Sequence, residues 1–283
     1  MSWALWEKSL REAKWLLVGC AALMFAFHLI RVWVTSHFTM GDVRQLLEFA
    51  PDFVKGFFAV PPEVIAAPAG RLAIGYDDPL VVVIMSCWAI ARGSDSVSGE
   101  IGRGTMEVLL AQPVRRIDVL LSSAVVNLLG AATLATLAWL GTYVGLAFFT
   151  LDEPVSARIL LPAALNLFGL GAFLGGLATM LSSCDRYRTR TIGIVVSFYV
   201  VQTLMKIVGI AVPDFSWLKK YTFLTVFEPQ QLAYHFWPEI LAAEPEQSWR
   251  LLIDYNGLLI GLGLVAYAIA ALVFTRRDLP APL

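Results

Sequence analysis

Carboxylates and guanidinium groups are concentrated in one short stretch, Glu100-Ile-Gly-Arg-Gly-Thr-Met-Glu-Val-Leu-Leu-Ala-Gln-Pro-Val-Arg-Arg116, between two apolar runs. Elsewhere, residues able to do covalent chemistry are scattered. His28, His37 and His235 share no motif, and no HExxH, GxSxG or paired intramembrane carboxylates occur, so no catalytic residue is assigned. Cys20, Cys87 and Cys184 fall in or at the ends of apolar stretches without CxxC spacing. They read as packing residues, with neither a disulfide nor a metal site implied. No G-x-x-x-x-G-K-[ST] phosphate loop is present, since Lys8-Ser9 and Lys55 lack the glycine framework. The chemistry left for the 100–116 segment is contact: a dense charged loop beside a membrane must touch something on the aqueous side.

The elements that position it are membrane spans. The chain has 283 residues, 58% hydrophobic and 15% charged, with a mean hydropathy of +0.70, which is too apolar for a soluble domain. A hydrocarbon core of about 30 Å needs roughly 20 apolar residues of helix. Six such stretches occur, at 15–34, 72–91, 125–149, 159–182, 191–212 and 253–275. Asp77, Asp78 and Pro79 interrupt the second, which has an alternative start near Pro79 and then runs towards Gly93. The expected fold is therefore all-α: a single six-helix membrane domain over 1–283.

Charge sets its orientation. The N-terminal segment, 92–118, 183–190 and the C-terminal tail concentrate lysine and arginine, whereas the opposite connections, 35–71 and 213–252, are longer and relatively acidic. The positive-inside rule places both termini in the cytoplasm. The first span is too long and too rich in tryptophan for a cleaved leader and reads as retained. No basic tract interleaved with aromatics suggests nucleic acid.

Several elements follow from periodicity. Residues 2–14, with Ser2 as a candidate N-cap, place Trp3, Trp6, Leu10 and Ala13 opposite Lys8, Arg11 and Glu12. That pattern predicts an amphipathic helix lying in the headgroup layer before the first span. Residues 43–49 and 53–60 read as short amphipathic helices on the outer leaflet, and the proline- and aromatic-rich 213–252 as short helices dipping into it. Residues 117–149 run without proline for roughly 50 Å of helix, so one end protrudes from the bilayer. The fourth span carries Gly169, Gly171, Gly175 and Gly176, which suit close helix packing, within the bundle or against a second copy. Arg31 and Lys206 lie towards the outer ends, where long side chains snorkel, and His28 reads as a packing histidine.

Within the charged segment Thr105 is a candidate N-cap and Glu107 sits in the first turn, where the helix dipole favours a carboxylate. Pro113 ends the helix after about two turns. Met106, Leu109 and Leu110 share one face, and Arg115 and Arg116 begin the long rod. So short a helix is unstable alone in water and must bury that face against a partner or the protein's own membrane base. A protein groove and lipid headgroups with the arginines on phosphate both satisfy the pattern.

Gly99-Glu100 followed by Gly104-Thr105-Met106-Glu107-Val108-Leu109-Leu110-Ala-Gln-Pro113-Val-Arg115-Arg116 resembles the first cytoplasmic loop of the ABC-2 type exporter permeases, with its GE…GT-x-E-x-LL-x-x-P-x-x-R pattern. The likeness in residues is confined to this loop; six spans, cytoplasmic termini, an N-terminal elbow helix and an aromatic outer segment extend it in layout. The resemblance implies a permease that couples ATP hydrolysis on a separate ABC ATPase to export. The loop would be the coupling helix, with Glu100, Gly104, Thr105, Met106, Glu107, Leu109, Leu110, Pro113, Arg115 and Arg116 as the docking element. It also implies two ATPase copies that carry ATP and magnesium, a second identical or related permease, lipid contacts and a bacterial inner membrane. A membrane component of an assembly, maturation or motility complex is the alternative. The connection over 35–71 is longer than in the simplest family members, and no residue identifies the cargo.

Overall fold

The computed structural model describes residues 3–49 and 60–277, and among them there are helices and turns but no strand. Six helical stretches are long and apolar enough to cross a membrane. Helix α1 (Trp3–Thr35) is followed by the short α2 (Met40–Phe49), α3 (Pro62–Ala66) and α4 (Pro68–Ile74). The second apolar stretch, Pro68–Gly102, takes in α4, α5 (Pro79–Ser94), a π-helical turn at Asp95–Gly99 and α6 (Glu100–Gly102); α7 (Thr105–Leu110) then leads to α8 (Arg116–Phe148). Helices α9 (Leu161–Cys184) and α10 (Arg188–Ala211) follow. Short 3-10 segments, α11 (Pro229–His235) and α12 (Pro238–Ala243) then lead to α13 (Pro245–Arg276).

Three boundaries differ from those expected. Within the second stretch the long helix α5 begins only at Pro79, after a turn, because Asp78 caps it by accepting from the Leu80 amide at 3.0 Å and Pro79 occupies its first turn. The last span begins at Pro245, so the end of the 213–252 connection is helical. Residues 3–14 form no separate in-plane helix; they are the first turns of an unbroken α1. No glycine or proline interrupts that stretch, and a buried stripe of Leu5, Ser9 and Ala13 continues into Cys20, Met24, His28 and Val32. Tertiary packing of this stripe overrides the amphipathic pattern. Ser2 and residues 53–59 lie outside the described residues.

The bundle is organised around α9, which packs on α13, α5 and α8 and is the most buried span. Missing side chains make this possible. A Cβ added to Gly176 would collide with the Gly263 carbonyl, and one added to Gly263 would lie 2.6 Å from the Ala172 carbonyl. Gly171 and Gly175 face Met85 and the Asn127/Tyr267 pair, so the GxxxG-spaced seam serves the bundle's own interior. By contrast α10 is little buried and exposes Val196, Val200, Val201 and Leu204, as a lipid-facing helix does.

Two polar side chains within the bundle are tied to protein. His28 Nδ1 lies 2.9 Å from the Met24 carbonyl and its ring packs on Tyr76, 4.7 Å between centroids. Lys206 does more than snorkel: it donates to the Leu224 carbonyl at 2.8 Å and pairs with Glu228 at 3.3 Å. The 213–252 connection folds back on the bundle, burying Phe223, Leu224, Phe227, Leu232 and Ala233. Asn166 anchors it by donating to the Val226 carbonyl at 3.0 Å.

The glycine seam is testable. Gly176→Val should lower the melting temperature of the detergent-solubilised protein, at an overpacking cost of about 1–3 kcal/mol. Gly193→Val, where no heavy atom lies within 4 Å of an added Cβ, should leave melting nearly unchanged.

Candidate functional site

The charged segment begins inside the second span. At Asp95–Gly99 the helix widens to a π turn, a feature that redirects backbone groups and often marks functional positions. Ser182 on α9 anchors it: its Oγ accepts from the amides of Val97 at 3.2 Å and Ser98 at 2.8 Å, and donates to the Ser94 carbonyl at 2.9 Å. A Cβ at Gly99 would run into Asp95 Oδ1, so a larger residue there would displace that carboxylate.

Two buried carboxylates emerge from this turn, and Arg103 joins them. Its Nη1 donates to Asp95 Oδ1 at 2.6 Å and its Nη2 to Glu100 Oε1 at 3.0 Å. Glu100 also accepts from Lys8 of α1 and, at 2.5 Å, from the Thr105 hydroxyl. Asp95 lies 3.3 Å from Arg188 of α10 and 3.5 Å from Arg92 of α5. One network therefore links α1, α5, α7 and α10. The hydrogen bond to Asp95 raises the Arg103 pKa above its ordinary value, keeping it cationic. The side chain is 43% exposed, so solvent screens much of that interaction.

Arg103 leads into a turn made by Gly104, whose φ of 71° lies in the left-handed region that glycine adopts without strain. Gly104, not Thr105, is the N-cap of α7. Thr105 is the first helical residue, and its hydroxyl reaches back to Glu100. Glu107 occupies the first turn, and α7 stops before Pro113. Arg115 is exposed at the start of α8. Arg116 donates to the Arg277 carbonyl at 2.7 Å, while Arg277 donates to the Ser183 and Asp185 carbonyls at 2.8 and 3.2 Å. Arg116 thus clasps the end of α13 and is not a free docking group.

The apolar face of α7 meets the protein's own base. Met106 is buried with Val97, Leu120, Ala270 and Phe274, and Leu109 with Leu5 and Val119. Leu110 is half-buried against the first cluster. What faces outward is Glu107, Val108 at 64% exposure, Ala111, Gln112 and Pro113. The docking residues expected at Met106 and Leu109 are therefore inaccessible, since the short helix needs that burial to be stable. Asp95, Arg92, Arg188 and the Lys8/Glu100 pair were not foreseen. The charges were visible in the sequence, but no local spacing joins Lys8 to Glu100 across 92 positions.

Replacing Glu100 with Ala would leave Arg103 with one carboxylate and Lys8 with only Glu12 at 3.1 Å. A loss of about 2 kcal/mol is expected, below the range for fully buried pairs because Lys8 and Arg103 are partly exposed. Limited proteolysis across residues 103–115 should accelerate at least several-fold, with the rest of the chain cleaved as before.

The family model described as ABC-2 family transporter protein matches residues 6–279, almost the entire chain. No curated protein matches it. The six apolar helices and the helical bundle agree with that family, whose members are membrane components rather than ATPases and generally pair with an ABC ATPase subunit. The chain belongs to the ABC-2 transporter family and is a membrane permease of an ABC transporter.

Proposed function

We propose that this permease is the translocating subunit of an ATP-driven exporter, and that residues 95–116 are the element through which a separate ATPase drives it. One observation carries the reading. The outward surface of α7, formed by Glu107, Val108, Ala111 and Gln112, stands on a helix joined through Arg103, Glu100 and Lys8 to three spans. A push on that surface is delivered to α1, α5 and α10 together instead of being lost in a loose loop.

The remaining assembly follows from this role. ATP and magnesium bind on the ATPase, present in two copies, and a second identical or related permease completes the pathway. The concentration of arginine and lysine in the segments around α7 supports, by the positive-inside rule, a cytoplasmic side for this end and both termini, and a bacterial inner membrane belongs to the same reading. Gly104, Thr105 and Pro113 shape the element and Met106, Leu109 and Leu110 seat it. Contact falls to Glu107, Val108 and Arg115, and lipid covers the exposed apolar faces of α10 and α13.

The test is a complex with the partner ABC ATPase. Glu107→Lys combined with Val108→Asp changes only exposed side chains, so melting should be unchanged. Co-purification with the ATPase should fall at least tenfold and stimulation of ATP hydrolysis should vanish. Undiminished association would remove α7 from the interface. Association and hydrolysis without ATP-dependent movement of material into proteoliposomes would replace export with an assembly role.

A further inference from the structure

Beside the network, between α1, α5 and α10, lies an open cleft of about 390 Å³. We propose that it binds the phosphate headgroup of an anionic membrane phospholipid. This rests on the membrane-spanning reading of these helices and is independent of the ATPase.

Two arginines at the cleft are held only by long contacts. Arg92 is only 5% exposed, and its Nε has no hydrogen-bond partner among the described residues. Its Nη1 is 3.5 Å from Asp95 and its Nη2 is 3.4 Å from the Ser9 carbonyl, both at the outer limit of a hydrogen bond. Arg188 reaches the cleft from α10 with equally long contacts, 3.3 Å to Asp95, 3.3 Å to the Ala91 carbonyl and 3.4 Å to the Ser94 hydroxyl. Each acid at the cleft has a closer cation than these two arginines. Asp95 has Arg103 at 2.6 Å, and Glu12 has Lys8 at 3.1 Å.

A buried guanidinium without close anionic partners is costly, and an oxyanion accepting two parallel N–H groups is its best complement. Among Lys8, Arg92, Arg103, Arg188, Glu12, Asp95 and Glu100, cations exceed acids by one, so an added anion is welcome.

The surroundings point to a lipid source. Leu16 and Ala91 supply apolar lining at the cleft, a surface that acyl chains use and a free phosphate does not. The adjacent Trp15 is 78% exposed, and Lys14 sits over its ring at 5.3 Å. Tryptophan and lysine so placed mark the headgroup layer.

The test uses the full chain in neutral detergent, titrated separately with phosphatidylglycerol, phosphatidylcholine and inorganic phosphate, and read by native mass spectrometry and thermal melting. Phosphatidylglycerol should be retained and should raise the melting temperature; phosphatidylcholine and phosphate should do neither. Arg188→Gln keeps the Asp95/Arg103 pair but loses the contact with Asp95, so its lipid-free melting temperature falls; the readout is the lipid itself, which it should retain about tenfold less tightly and with a smaller rise in melting temperature. Arg188→Lys should restore part of the loss. Arg190→Gln, a 70% exposed neighbour paired with Asp185, should have no effect. Equal retention of both lipids, or equal effects of Arg188→Gln and Arg190→Gln, would overturn the proposal. Equal protection by inorganic phosphate would replace the lipid with a soluble anion and overturn it as well. None of these readouts involves the ATPase, so the exporter reading stands or falls separately.

Discussion

Two carboxylates buried at the end of a membrane span must be neutralised, and the arrangement at this end of the molecule follows from how that is done. Asp95 and Glu100 share Arg103, which caps the C-terminus of Glu100's short helix and lies eight residues beyond Asp95. Holding that guanidinium between them folds the chain back after α6 and orients the turn at Gly104. Lys8 and Arg188 enter from α1 and α10 as further cationic partners of these two acids. The network therefore sets helix positions as well as satisfying charge, because each buried carboxylate is stable only while every contributing helix is in place.

Helix α7 depends on the same arrangement. With six residues it has too few internal hydrogen bonds to persist by itself. Its burial is split between two clusters, Met106 against α8 and α13 and Leu109 against α1 and α8. A helix seated in this way moves with its base. That rigidity makes its outward side chains suitable for receiving force, and it makes the buried ones structural.

Deeper in the bundle the constraint changes from charge to space. Lipid is as apolar as leucine, so helix association relies on close approach and on polar contacts between spans. Gly176 and Gly263 let two backbones meet. Asn127 donates to Tyr267 at 3.2 Å and Asn166 to Asn256 at 3.3 Å, tying α9 and α8 to α13 through side chains that would otherwise be costly in hydrocarbon.

Much of this architecture was legible in the residues. Hydropathy and length determine six spans, the proline-free run determines the rod α8, and the loop motif marks the region that matters. Pro113 and Glu107 bound the short helix because their effects are local. What only the tertiary structure decided depends on partners distant in the chain: that Met106 and Leu109 face the protein's own base, that Thr105 bonds backwards to Glu100, that Arg116 holds the end of α13, and that residues 3–14 continue α1. In each case local periodicity indicates which side of a helix is apolar or charged. It carries no information on which surface will cover that side, since covering is a property of segments brought together by the whole fold.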